Sequence, residues 1–305
     1  MASSDLRLIE KICWHYYCEG LTQQEIASLL GLSRIRVIKL LDEGRSRGVV
    51  SFHINRLDNA LSEVESALVK AYPLEDAYVI PSPADKKSLP SVLAKAATAY
   101  VNERISRDSV INIGYGRTLS LAVNYLASSV ESTVTAISLT GGVNNYLPNT
   151  LSEIFRLKLY LCPSPLILSD KPLRDAMLRQ HDVMWISKMI KTATMSLFSV
   201  GGLGEDATLI TQGLFEKRDF VYLRQKGAVG DILGHFIDRN GRIVDEENDS
   251  LMVTTGLDTL KELPGTIMVA GGAEKEAVMR SAINARLARI LVTDESTARS
   301  LLKNQ

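Results

Sequence analysis

Apolar positions in the first fifty or so residues recur at helical spacing. Ile9, Ile12, Cys13 and Tyr16 share one face, Ile26, Leu29 and Leu30 a second, and Val37, Leu40 and Leu41 a third. Little chain is left between these stretches, so residues 5 to about 55 predict helices joined by very short turns. Gly48 closes the run, and residues 49–54 (Val-Val-Ser-Phe-His-Ile) read as a strand, a short wing beside the helices. Residues 57–72 predict a further amphipathic helix carrying Leu61, Val64, Leu68 and Val69, placed to join two domains or to pack protomers together.

After Pro73 the texture changes to short apolar runs followed by helical stretches. Val110-Ile111-Asn112-Ile113-Gly114 is one such run, with helical periodicity resuming near Thr118. Residues 134–139 form another, ending in Thr140-Gly141-Gly142, and residues 157–161, 195–200 and 267–270 are similar. Buried strands that end in glycine loops and lead into helices predict an α/β fold with a doubly wound, mostly parallel sheet. Ligands of such sheets bind at the carboxyl ends of the strands. The expected organisation is a small, winged-helix-like helix-turn-helix domain over residues 1–56, followed by a larger sheet domain over 57–305.

The helical segment carries a specific pattern. Thr22 and Glu25 have capping-box spacing, and Ala27 is small where two helices cross. Gly31 can adopt the left-handed conformation of a tight turn, Ser33 can cap the next helix, and Val37 and Leu40 turn inward. Helices that merely pack need no such residue types at those offsets. The segment therefore predicts a DNA-reading helix-turn-helix.

Composition limits how DNA could be bound. The 305 residues are 46% hydrophobic and 23% charged, an ordinary globular balance. With 35 basic and 35 acidic residues the molecule has no overall electrostatic attraction to nucleic acid or membrane, so a DNA site must be local. Residues 1–54 hold seven Lys/Arg and six Asp/Glu, yet Arg34, Arg36 and Lys39 gather on the second helix, with no acid before Asp42. Ser33 and Arg34 are expected at bases or phosphates, Arg36 and Lys39 nearer the backbone, and Gln24 at a phosphate. So little charge implies weak non-specific binding, and useful affinity calls for an oligomer on a symmetric operator. Cys13, Cys18 and Cys162 lack metal-ligand spacing and read as reduced thiols. No metal or cofactor is expected. No apolar run approaches the roughly 18 residues of a membrane span, and the N-terminus has no leader-like segment, so a cytoplasmic protein without a membrane partner is expected.

Four loops could hold an anion or a polyol. They are Gly114-Tyr115-Gly116-Arg117-Thr118, Thr140-Gly141-Gly142-Val143, the run from Lys226 to Asp231, and Ala270-Gly271-Gly272-Ala273-Glu274-Lys275. Each alone is compatible with a plain structural turn. Taken with the helix-turn-helix, with Lys226-Gly-Ala-Val-Gly-Asp231-Ile-Leu-Gly and with Leu291-Val-Thr-Asp-Glu295, they resemble the SorC family of bacterial sugar-responsive regulators, in order and over essentially the whole chain. The resemblance implies an effector domain related in fold to ribose-5-phosphate isomerase and glucosamine-6-phosphate deaminase. It also implies operator DNA and a phosphorylated sugar or polyol as partners, and a homodimer or homotetramer. Carried onto this chain, Gly116, Arg117 and Thr118 would grip phosphate, Asp231 and Lys275 would contact the sugar or its phosphate, and Gly141 and Gly142 would wall the pocket. Two departures bear on ligand identity. Several family members place Arg directly before the Lys-Gly-Ala-Val-Gly run, whereas here Gln225 stands there and Arg224 one position earlier. Arg117 is also large for a position often filled by smaller residues.

Two other classes compete with this reading. The related folds include sugar-phosphate isomerases and deaminases, and His235, four residues after Asp231, is the histidine to test as a base. His15, His53 and His181 are scattered, with no triad or metal spacing. The other class is a constitutive architectural DNA binder, for which a large α/β domain would be superfluous.

Overall fold

A computed structural model describes residues 3–46, 49–50, 59–130, 133–142 and 157–303. Contacts divide the chain into two units, Met1–Leu57 and Asp58–Gln305. Positions 51–54 of the expected wing strand, and Val143, lie outside the described residues.

The first unit contains α1 (Ser3–Cys13), a π-helical turn (Trp14–Cys18), α2 (Gln23–Leu30) and α3 (Arg34–Ser46). Ile9, Ile12 and Cys13 of α1 bury against Ile26 and Ala27 of α2 and Val37, Leu40 and Leu41 of α3. The turn between α2 and α3 follows from side-chain chemistry. Thr22 Oγ1 accepts from the Glu25 amide at 3.2 Å, and Glu25 Oε2 accepts from the Thr22 amide at 2.7 Å, so two of the helix's orphan donors are satisfied reciprocally. Gly31, at φ +64°, ends α2 in the left-handed conformation, and Ser33 Oγ caps α3 by accepting from the Arg36 amide at 3.2 Å. Further along α3, a Cβ at Gly44 would collide with Cys13 Sγ, so glycine permits the close crossing with α1.

The second unit opens with α4 (Asn59–Ala71), β1 (Asp76–Ile80), α5 (Leu89–Asn102), β2 (Val110–Ile113), α6 (Arg117–Ser129) and β3 (Val134–Ser138). It continues with β4 (Leu157–Tyr160), α7 (Lys171–Leu178), α8 (His181–Ile190), β5 (Met195–Phe198), β6 (Val200–Gly201), α9 (Thr208–Thr211) and α10 (Lys217–Gln225). There follow β7 (Gly230–Ile232), β8 (His235–Ile237), α11 (Glu246–Asp249), α12 (Leu257–Glu262), β9 (Thr266–Val269), α13 (Glu276–Asn284), β10 (Ile290–Asp294) and α14 (Glu295–Lys303).

Seven strands form a sheet in the order β1-β10-β9-β5-β2-β3-β4, and every pairing is parallel. The strands are apolar on both faces because helices cover both. Ile111, Ile113, Ile267, Val269 and Val292 pack into one core with Leu93, Ala97, Leu119 and Val123 of α5 and α6. Met268 and Leu291, one residue out of phase, pack into the other with Leu68 of α4, Ile186 of α8, Val278 of α13 and Leu301 of α14. This is the doubly wound α/β architecture that the alternating runs predict.

One expected run divides. Residues 195–200 read as a single strand, but β5 stops at Phe198, and Ser199 Oγ turns to donate to the Val269 carbonyl at 2.8 Å. Val200 instead pairs antiparallel with Ile232 in a second sheet, β6-β7-β8. Leu233 and Gly234, with φ of +53° and +92°, make the two-residue turn of the β7-β8 hairpin.

Leu40 is wholly buried in the first unit. Leu40→Ala should therefore lower the stability of that unit by about 2–5 kcal/mol, measured by urea unfolding. A loss well under 1 kcal/mol would show that this core is not closely packed.

Candidate functional site

The chain leaves β2 towards β3 and β4, then returns to the opposite side of β2 with β5. The order of the parallel sheet thus reverses between β2 and β5, and loops leaving the two strands diverge in opposite directions. The opening between them is a cleft of about 170 Å³. Its lining includes Tyr115, Gly116, Arg117 and Thr118 after β2, Ser199, Gly201 and Gly202 after β5, Asp231 of β7, and Glu274 and Lys275 beyond β9. Sugar-sized molecules suit a space below the roughly 300–1,000 Å³ of typical drug-sized pockets.

At one side α6 begins. Gly116 is its N-cap at φ +119° and ψ 162°, a conformation open only to glycine, and it offers no capping side chain. The first-turn amides of Arg117 and Thr118 have no intrahelical acceptors and add to the positive end of the helix dipole. Thr118 is buried at the cleft wall, and the Arg117 guanidinium is exposed at its edge.

Asp231 lines the same cleft. Its Oδ2 accepts from the Tyr115 hydroxyl at 2.6 Å and from the Gly234 amide at 3.1 Å. A Cβ on Gly201 would collide with Oδ1, so glycine there is what makes room for the carboxylate. Burial pushes the Asp231 pKa up, against the hydrogen bonds from Tyr115 and Gly234 and the positive charge of Lys275. Burial likewise pushes the Lys275 pKa down, against the pull of Glu274, Asp231 and Asp206.

The loop bearing Lys275 is anchored from below. Gly272, at φ +103°, donates its amide to Thr297 Oγ1 at 2.9 Å, and Thr297 donates to Asp294 Oδ1 at 2.5 Å. Ser82 and Ser296 donate to Asp294 Oδ2 at 2.6 and 2.7 Å. Burial alone would raise the Asp294 pKa, but these hydroxyls outweigh it and hold the carboxyl below its usual range.

Of the residues expected in the effector site, Gly116, Arg117, Thr118, Asp231 and Lys275 come together at this cleft. Gly141 and Gly142 do not. Their amides donate to the Val253 and Ser164 carbonyls at 2.8 and 2.6 Å, and added Cβ atoms would press on Pro165 and Leu166, so they serve a neighbouring loop crossing. Arg224 turns to the Leu203 carbonyl, while Lys226 bonds Asp245 at 3.1 Å. Tyr115 was given no role by sequence reasoning, although a hydroxyl between the two glycines of the β2 loop was the available signal. Glu274 and Asp206 carried none, because nothing local in sequence separates a cleft acid from a solvated one.

His235 is no free base. Its Nδ1 lies 2.5 Å from Asp249 Oδ1 and its Nε2 3.0 Å from the Thr255 carbonyl, which engages both ring nitrogens.

On the helix-turn-helix unit Gln24, Ser33, Arg34, Arg36 and Lys39 are all exposed. Arg34 and Gln24 share a shallow concavity with Thr22 and Gln23 at the N-terminus of α2, and Arg34 Nε donates to Gln23 Oε1 at 3.4 Å. Ser33 already spends its hydroxyl as a cap. Among the described residues, no helix is long and apolar enough to cross a membrane, and no group of three His, Cys, Asp or Glu could hold a metal ion.

Comparison with known proteins bears on both units. A sugar-binding domain family model (Sugar-bind) matches residues 58–303. Transcriptional regulator LsrR of Enterobacter sp. (strain 638) is 29% identical over 306 residues, spanning 99% of this chain and 94% of LsrR. The deoxyribonucleoside regulator of Bacillus subtilis (strain 168) is 27% identical, with 95% of each chain covered. The crystal structure of the full-length sorbitol operon regulator SorC from Klebsiella pneumoniae matches with a TM-score of 0.69 at 25% identity, over 98% of this chain and 100% of that one. The chain belongs to the SorC family of sugar-binding transcriptional regulators, and it is a ligand-responsive regulator with a sugar-binding domain behind a helix-turn-helix.

Proposed function

We propose that residues 1–56 bind operator DNA through Gln24, Ser33, Arg34, Arg36 and Lys39, and that residues 57–305 bind a phosphorylated sugar or polyol that sets the strength of that binding. The observation that carries this reading is that the uncapped first turn of α6 and the buried Asp231 carboxylate line one cleft. A helix N-terminus with exposed amides takes an anion, and a carboxylate takes hydroxyl donors. A ligand with phosphate at one end and hydroxyls at the other satisfies both. In this reading Gly116, Arg117 and Thr118 hold the phosphate, while Asp231 and Lys275 hold the sugar. The deoxyribonucleoside and sorbitol-operon regulators among the relatives favour a sugar- or polyol-derived effector.

The protein acts in the cytoplasm as a homodimer or homotetramer, so that two recognition helices reach two operator half-sites. The effector favours one arrangement of protomers over another, and DNA affinity changes by no more than its differential affinity for the two. A second reading has one observation in its favour: a buried carboxylate with a raised pKa, beside a lysine in a cleft, is also what a sugar-phosphate isomerase needs of its base. The non-enzymatic reading requires that the full-length protein return sugar phosphates unchanged. Steady turnover of any one of them decides for the enzyme.

Thermal-shift screening against phosphorylated and free sugars and polyols, followed by DNA-binding assays with each hit, identifies the effector. Arg34→Ala should abolish operator binding and leave effector binding intact; loss of both would refute this division of labour. Thr118→Ala should weaken the effector about tenfold, the worth of one hydrogen bond, with DNA binding retained. Gly201→Ala should do more, because the new methyl occupies the space of Asp231 Oδ1. Unchanged ligand sensitivity in both variants would remove the cleft from consideration.

A further inference from the structure

The exposed face of α3 has an apolar centre. Val37, Leu40, Leu41 and Gly44 are buried on one side of the helix. At i, i+3, i+4 and i+7 on the opposite side stand Ile35, Ile38, Lys39 and Asp42. Arg34 and Arg36, one residue either side of Ile35, project roughly 100° to its left and right, as 3.6 residues per turn requires. Ile35 is 68% exposed, the most exposed large hydrophobic side chain among the described residues. It lies in the first turn of its helix, with cations flanking it.

We infer that Ile35 reads thymine, packing on the C5-methyl group of one base in each half-site. The inference rests on the operator-binding role proposed above and deepens it. A recognition helix enters the major groove with its N-terminal residues at base edges, and charge complementarity fixes DNA as the occupant, since Arg34, Arg36 and Lys39 surround the apolar position. The thymine methyl is the apolar group that unmodified base edges display in that groove. An isoleucine at the centre of the face gains by covering it and gains nothing from the hydrogen-bonding edges of other bases. Arg34 and Arg36, on the flanks of the helix, are then placed for the phosphates on either side of the groove. Base discrimination thus moves one residue along the helix from the position the charge pattern alone suggests.

Deoxyuridine differs from thymidine by that methyl alone, which supplies the test. Sites are selected from a random duplex pool with the full-length protein, and each thymine of a selected site is replaced singly by deoxyuridine. At one position per half-site the wild type should lose about fourfold in affinity, the worth of one buried methyl. Ile35→Ala should bind the thymine and deoxyuridine sites equally, and its salt dependence should match the wild type. Arg36→Ala, in contrast, should keep the deoxyuridine penalty and lose about one unit of salt slope. Selected sites that tolerate deoxyuridine everywhere, or a full penalty retained in Ile35→Ala, overturn the role of Ile35 while leaving DNA binding in place. A pool that yields no preferred sequence overturns the operator-binding role itself, and this inference with it. Circular dichroism confirms that each variant is folded.

Discussion

The cleft of the second unit depends on the reversal of strand order between β2 and β5. Elsewhere in a parallel sheet, consecutive loops cross the strand ends in one direction and close over them. At a reversal they part, and the gap cannot be filled without abandoning the right-handed crossovers that cover both faces of the sheet. The site is therefore a consequence of topology before any side chain is chosen. Residue choice then lines the gap, with glycine where α6 must start uncapped and a small hairpin laid across the far side.

That hairpin gives a physical account of the Lys226–Gly234 stretch, the most family-specific piece of sequence. Gly230 must be glycine because a Cβ there would strike both the Gly201 carbonyl and Val278. Asp231 follows, pairing in register with Phe236, which packs edge-to-face on Phe215 and Phe220 in a core of its own. Leu233 is held at positive φ and is fully buried, a strained choice, whereas Gly234 beside it adopts positive φ at no steric cost. The same aspartate that lines the cleft also accepts the Gly234 amide, so the turn and the cleft carboxylate are built from one side chain. Asp294 plays the matching part beneath Lys275, through Thr297 and Gly272. The cleft-lining Asp231 and the Lys275 loop are thus fixed by buried polar contacts, which under the proposed function suits a sensor that must recognise one shape rather than adapt to many.

Much of this was legible before any coordinates. The helix-turn-helix was written in Thr22, Glu25, Ala27, Gly31 and Ser33 because capping and tight turns are local problems with few solutions. The parallel sheet was legible in runs that are apolar on both faces. The cleft residues at 116–118, 231 and 275 were reachable through family motifs, because glycine-ended loops mark strand ends. Three features were not. The break at Ser199 depends on a partner in β9, seventy residues away in sequence, so an unbroken apolar run gave no warning. Gly141 and Gly142 look like Gly271 and Gly272, yet the first pair answers a crowded loop crossing, whereas Gly272 donates its amide to Thr297 in the loop that carries Lys275. Ile35 reads as one more helical apolar residue until its face is seen to oppose the core.

The charges of the cleft fix how a ligand can enter it. Lys275 is already compensated by Asp231, Asp206 and Glu274, and Arg117 is exposed at the edge. Three acids against two bases leave the lining no net attraction for an anion. Free phosphate therefore gains little from Coulomb forces and must rely on the amides and dipole at the start of α6. Under the function proposed above, a sugar phosphate entering reversed would place its phosphate among carboxylates and its hydroxyls at the amides of α6, losing on both counts. In the proposed orientation the hydroxyls would relieve Asp231, whose charge is costly while buried, and the phosphate would meet the helix. In that reading the acids select the orientation of the effector and disfavour simple anions.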